Sequence, residues 1–273
     1  MTLPAPTADR TCLVTGASSG IGAEIARTLA RRGYGVTLVA RTESRLKALA
    51  DELADRFSVR AEVVPADLTD ESARTGIVRS LDEHGLKVNI LVNNAGFSTT
   101  GPVHRAEPSR EVAMVRTDVE AVVHLCTLLC PGMVERRSGA VLNVASTAAF
   151  QPLPGQAGYA AAKAFVLSYT YALRGELRPH GVTVTALCPG PVATGFQEVA
   201  GFSDEDAESA VPKFMWVPAE EVARAAVDGM DAARAVVIPG IANRVGAVAG
   251  WLAPRSVVVP MVARRHPALS GNG

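Results

Sequence analysis

Tyr159 and Lys163 are spaced for chemistry: four residues apart, they project from one face if the segment is helical. With four tyrosines and four lysines in the chain, about 0.06 such pairs are expected by chance, so the spacing asks for a reason. A phenol with a pKa of about 10 is a poor acid or base at neutral pH, and an adjacent ammonium stabilises its phenolate. Lysine does this as a compact charge that can also bond ribose hydroxyls, whereas an arginine fork is bulkier. Of the 27 basic residues 23 are arginine, so a lysine here is a selective choice. Ser146 closes VLNVAS, thirteen residues before Tyr159, where its hydroxyl can meet the phenol and hold a carbonyl oxygen. No histidine is placed to make this serine a nucleophile and no GxSxG surrounds it, which argues against a hydrolase.

A second constellation is TGASSGIG, residues 15–22. Gly16, Gly20 and Gly22 let the backbone turn tightly, approach a pyrophosphate and pack a helix on a sheet. Ser18, Ser19 and Ile21 complete the expected contacts, and the helix start offers N–H groups and positive partial charge to phosphates. At the end of the next apolar run stand Ala40 and Arg41, with no carboxylate to bind an adenosine ribose and repel a 2′-phosphate. Arg41 favours NADP(H) through a charge-assisted contact. Asp67 can accept from an adenine amine or cap the following helix, and NNAG (93–96) places Asn93, Ala95 and Gly96 beneath the ribose.

These residues need a scaffold, and the hydrophobic pattern supplies one. Near-continuous apolar runs at 11–14, 36–40, 61–65, 90–93, 140–144, 182–187 and 236–238 read as strands covered on both faces. Helical patterns fill the gaps at 21–32, 43–56, 72–83, 109–135, 159–177 and 220–230. The alternation predicts a single α/β domain over 1–240, a doubly wound parallel sheet of about seven strands with helices on both faces. Ligands collect at the carboxyl ends of such strands. Residues 193–215 break the rhythm and read as a lid, with Phe196, Phe202, Phe214, Met215 and Trp216 suited to an apolar ligand. Residues 241–273 form an apolar tail on the same domain, expected to cover a pocket, a partner subunit or a membrane face.

Composition narrows the classes. In 273 residues, 27 basic side chains cancel 27 acidic ones, which argues against nucleic-acid binding. No apolar run reaches the roughly 18 to 20 residues of a spanning helix, so membrane contact is expected to be peripheral at most. The first ten residues do not read as a secretory signal. Cys12, Cys126, Cys130 and Cys188 lack CxxC spacing and the five histidines form no HExxH; no metal is expected, and the location is expected to be cytoplasmic. Cys126 and Cys130 read as core, and Trp216 and Trp251 as pocket, core or interface residues.

Taken together, TGASSGIG, NNAG, Ser146, Tyr159-Ala-Ala-Ala-Lys163 and PGPVAT (189–194) resemble the short-chain dehydrogenase/reductase family in order and spacing, over about residues 10–240. The resemblance implies an open Rossmann-type sheet with a seventh strand and NADP(H) lying along its strand ends. It implies Tyr159 as acid/base, Lys163 holding the ribose and lowering the phenol's pKa, and Ser146 positioning the carbonyl. Pro189, Gly190, Val192 and Thr194 would line the nicotinamide. The expected activity is reduction of a ketone or 3-oxo group of an apolar, lipid-like substrate, or oxidation of the alcohol, by a homodimer or homotetramer. The tail is loosely similar to a branch that includes reductases of long-chain 3-oxo acyl compounds, mycolate precursors among them. The alternative is an NADP(H)-binding regulator or scaffold without turnover. In one place the pattern breaks: the family commonly has a catalytic asparagine in the helix after strand four, and residues 109–135 contain none. The matching segment VRTDVEAVVHL offers Asp118, expected beside Lys163 if the alignment holds, or else facing water or capping a local bend.

Overall fold

The computed structural model describes residues 3–194, 212–265 and 269. Residues 195–211, with most of the expected lid and with Phe196 and Phe202, lie outside them. Seven parallel strands form one sheet in the order β3-β2-β1-β4-β5-β6-β7. They are β1 (Arg10–Thr15), β2 (Val36–Ala40), β3 (Ala61–Pro65), β4 (Lys87–Asn93), β5 (Gly139–Val144), β6 (Val182–Leu187) and β7 (Val236–Val237). The chain runs outward from β1 to β3, then returns to place β4 on the other side of β1. That reversal opens a crevice beyond the carboxyl ends of β1 and β4.

Helices α1 (Gly20–Arg31), α2 (Glu43–Phe57) and α7 (Ala219–Asp231) are the ones whose buried residues join the core on one face. Helices α3 (Glu71–Glu83), α5 (Ala121–Glu135) and α6 (Ala157–Leu177) pack on the other. Side chains alternate along each strand, so Val14, Val92 and Leu142 join the first core while Leu13, Leu91 and Val141 join the second. This two-sided burial is why the strands read as unbroken apolar runs.

Two elements depart from expectation. The helix expected over 109–135 is α4 (Pro108–Val115), a π-helical turn over Arg116–Glu120, and then α5. The extra residue in that turn breaks the regular i, i+4 spacing, and Asp118 sits buried within it. The cap of α3 is Asp70, whose carboxylate accepts from the Ser72 N–H at 2.8 Å. Asp67 instead closes a turn, accepting from the Thr69 N–H and hydroxyl. The tail forms α8 (Ile241–Leu252) and α9 (Arg255–Arg265), and among the described residues no helix is long and apolar enough to cross a membrane.

Candidate active site

A cleft of about 1280 Å³ lies across the carboxyl ends of the strands. At one end the loop after β1 enters α1. Gly16 has φ +65°, and a Cβ on Gly22 would lie 2.4 Å from the Gly16 carbonyl oxygen, so helix and loop meet without room for a side chain. The Ser19 side chain does not cap α1, whose start forms the cleft lining with Ser18, Ser19, Gly20 and Ile21. Arg41 and Arg45 line the cleft together with this loop, and so does Asp67, which follows the end of β3. A close backbone approach, a helix start at the cleft and two guanidiniums fit a phosphorylated dinucleotide.

In the middle of the cleft, Tyr159 and Lys163 occupy one face of α6, with the ammonium 5.6 Å from the tyrosine ring centroid. Ser146, at the end of β5, accepts from the Ala148 N–H through its Oγ at 3.1 Å and hydrogen-bonds the Tyr159 phenol. The Lys163 ammonium donates to the Val144 carbonyl at 3.2 Å and lies 2.9 Å from Asp118 Oδ2. Asp118 Oδ1 accepts from the Phe97 N–H at 3.0 Å. Gly96 makes this approach feasible, since a Cβ there would be 2.9 Å from Oδ2.

The electrostatics of the four groups are linked. Burial raises the Tyr159 pKa; the Lys163 charge and the Ser146 hydrogen bond oppose that rise, and the Asp118 charge adds to it. Burial also raises Asp118, against the pull of Lys163. For Lys163 burial works against the charge, yet Asp118 and Tyr159 outweigh it and the pKa is raised. The lysine is therefore held as an ammonium.

The sequence model for short chain dehydrogenase matches residues 10–203. The chain belongs to the short chain dehydrogenase family. As such it is an oxidoreductase. It is similar to sulfoacetaldehyde reductase 2 of Chromohalobacter salexigens, 36% identical over 73% of this chain and 79% of the relative. It is equally identical, 36%, to a very-long-chain 3-oxoacyl-CoA reductase of Phaeosphaeria nodorum, over 68% of this chain but only 56% of that protein's length. Among solved structures, a short-chain dehydrogenase from Sphingobium yanoikuyae in complex with NADPH superposes with a TM-score of 0.79 at 34% identity, covering 88% of this chain and 92% of that one. The bulky-bulky ketone specific alcohol dehydrogenase of Comamonas testosteroni gives 0.75 at 28% identity, covering 98% and 96%.

The dehydrogenase cleft gathers most of the residues singled out in the sequence: Gly16, Ser18, Ser19, Gly20, Ile21, Arg41, Asp67, Ala95, Gly96, Ser146, Tyr159, Lys163, Pro189, Gly190, Val192 and Thr194. Gly22, Asn93, Asp118, Phe214 and Trp251 are not among its lining residues, and Phe214 and Trp251 are instead exposed. Gly22 packs behind the loop, and Asp118 lies beneath Gly96 and Lys163. Asn93 points into the core and donates to Asn143 Oδ1 at 2.9 Å, so the floor residue is its neighbour Asn94, whose amide donates to the Thr15 carbonyl at 3.0 Å. Successive strand residues face opposite ways, so only one of two adjacent asparagines can serve. Sequence reading also missed Arg45; its place in the first turn of α2, just after Arg41 at the end of β2, is the signal that could have found it.

Proposed function

We propose that this dehydrogenase reduces a ketone or 3-oxo group of an apolar compound with NADPH, or oxidises the corresponding alcohol with NADP. The observation that carries the reading is the meeting of Ser146, Tyr159 and Lys163 in a cleft whose described lining holds few other charged side chains. Among the described lining residues only Arg41, Arg45, Asp67 and Lys163 are charged. Phe97, Phe150, Leu153, Met215, Trp216 and Met261 line the cleft without a cation among them. Such walls suit an uncharged apolar carbonyl compound better than a small sulfonate, which would need a cation to replace its water. The two arginines and the NADPH-bound relative support NADP(H) over NAD(H).

The bound nicotinamide would supply the hydride. The protein's own part is to hold and move a proton at the carbonyl oxygen. Tyr159 Oη donates that proton in reduction, and Ser146 Oγ fixes the oxygen beside it. Lys163 stabilises the phenolate that remains. Its ammonium has three donors; one is directed at Val144 and another side rests on Asp118, leaving a donor for the cofactor ribose. Pro189, Gly190, Val192 and Thr194 would flank the nicotinamide, and Gly16 through Ile21 the pyrophosphate. Dimeric or tetrameric assembly belongs to the same proposal.

Nicotinamide absorbance, followed with NADPH or NADH and ketones of increasing chain length, tests this directly. Turnover is expected with NADPH and to improve with apolar bulk. Tyr159→Phe is expected to bind NADPH normally and lose about 10² to 10⁴ in rate. Near-normal turnover by that variant would overturn the assignment.

A further inference from the structure

Helix α8 carries its large apolar side chains on the face turned away from the protein. Its buried positions are Asn243, Ala247 and Gly250, and the fit is close, since a Cβ on Gly250 would lie 2.5 Å from Gln151 Oε1. On the opposite face Ile241, Val245, Val248 and Leu252 recur at helical spacing, between 49% and 81% exposed, with Trp251 beside them. The period of about 3.6 residues per turn sets this stripe opposite the packed one. A surface helix of a globular protein ordinarily shows the reverse, with polar residues outward. Val257 and Met261 of α9 extend the exposed apolar surface.

Charge says what this surface faces. All 27 acidic residues of the sequence lie at or before Asp231; the 42 residues after it carry five arginines and no carboxylate side chain. Arg244, Arg255 and Arg264 are exposed around the apolar stripe. Among the described residues none of the three lies within 4.0 Å of a carboxylate. The bonds made by Arg255 go to the neutral carbonyls of Phe150 and Gly250. The chain as a whole is neutral, so the positive rim is a local arrangement. A two-fold contact between copies would set the same arginines against each other with no acid between them.

We propose that the outer face of α8 and α9 docks on the surface of an anionic phospholipid bilayer. Ile241, Val245, Val248, Trp251 and Leu252 would enter the boundary between headgroups and acyl chains, and the arginines would meet the phosphates. The helices lie on the membrane and do not cross it. Asn243, Ala247, Met261 and Val262 of the same two helices line the cleft, so docking brings the cleft against the lipid. Entry of an apolar carbonyl compound from the bilayer would follow; that consequence rests on the substrate reading above, and the docking does not.

The test is flotation of the full chain, without cofactor or substrate, on vesicles of phosphatidylcholine alone or mixed with phosphatidylglycerol. The protein is expected to float with the mixed vesicles, less with the neutral ones, and less as salt rises. Arg244→Gln and Arg264→Gln are each expected to weaken partitioning about five-fold, the share of one cationic side chain near such a surface. Val245→Glu and Leu252→Glu are expected to abolish it while leaving the circular dichroism and the thermal midpoint of these exposed-site variants unchanged. Absence of flotation with mixed vesicles, or binding indifferent to both glutamates, would overturn the proposal. So would an oligomer in light scattering that Leu252→Glu converts to monomer, because a second copy would then cover the face. Ketone reduction is measured separately, so either reading can fail while the other stands.

Discussion

Asp118 and Lys163 form a buried ion pair: Oδ2 and Nζ are 2.9 Å apart, with 0% and 5% of the two side chains exposed. Neither charge can turn to water if the other is removed. Breaking such a pair costs about 3–5 kcal/mol, whereas removing both charges together is often tolerated. Lys163→Met is therefore expected to lose turnover and to lower stability by an amount in that range. Adding Asp118→Asn to it should recover most of the stability in urea denaturation and none of the turnover. Recovery of neither would show that the pair does not act as a unit.

Cofactor choice is expected to depend on the two arginines at the loop. Arg41 and Arg45 line the same cleft as Ser18 and Ser19, and a hydrogen bond to a charged group is worth about 1.5–3 kcal/mol. Arg41→Asp removes one such contact and adds repulsion toward a 2′-phosphate. Its KM for NADPH should rise by at least the corresponding ten-fold or so while that for NADH changes little. Arg45→Ala should show a smaller rise of the same sign. An unchanged ratio of the two KM values in Arg41→Asp would remove Arg41 from the phosphate site.

The scaffold was legible because each strand between two helical layers must be apolar on both faces, and the runs around Leu13–Val14 and Val141–Leu142 say so without the structure. Ser146, Tyr159 and Lys163 were legible because spacing along one helix and one strand end sets their meeting. What spacing leaves open is direction. Asn93 and Asn94 differ by a half-turn of the strand, and only the strand's register shows which reaches the cleft. Asp118 needed the π-helical turn, which no periodicity announces. The apolar tail was visible as a composition, while the orientation of its stripe required knowing that Asn243, Ala247 and Gly250 take the inner face.

Alkaline conditions are expected to destabilise the protein from about pH 9 upward. Burial raises the Cys188 thiol from its ordinary value to about 12, and pushes Cys12 up as well. The unfolded chain then loses these protons before the folded one does. Stability is full below the unfolded thiol pKa and falls as pH rises toward the folded one, by about 1.4 kcal/mol per pH unit for each such thiol. Cys188→Ala should reduce the slope of unfolding free energy against pH by one proton's worth. Parallel slopes for the two proteins would mean that Cys188 is not protected from ionisation in the fold.

The last expectation concerns the charge of Asp118 itself. Its anion supports the Lys163 ammonium and raises the pKa of Tyr159, partly cancelling the field that Lys163 exerts on the phenol. Asp118→Asn keeps the volume beneath Gly96 and can keep an acceptor for the Phe97 N–H, but then sets an amide donor toward Lys163 in place of Oδ2. With the anion gone, Tyr159 ionises at lower pH. Reduction requires the protonated phenol, so the alkaline limb of kcat/KM should move toward acid. Oxidation requires the phenolate, so its acid limb should move the same way. A purely structural role would lower both rates without moving either limb. Because the groups interact, the measured pKa belongs to Tyr159, Lys163 and Asp118 together. Profiles that overlay in both directions would show that the Asp118 charge does not reach the phenol; loss of all turnover in the asparagine variant would show that the carboxylate does more than position and charge Lys163.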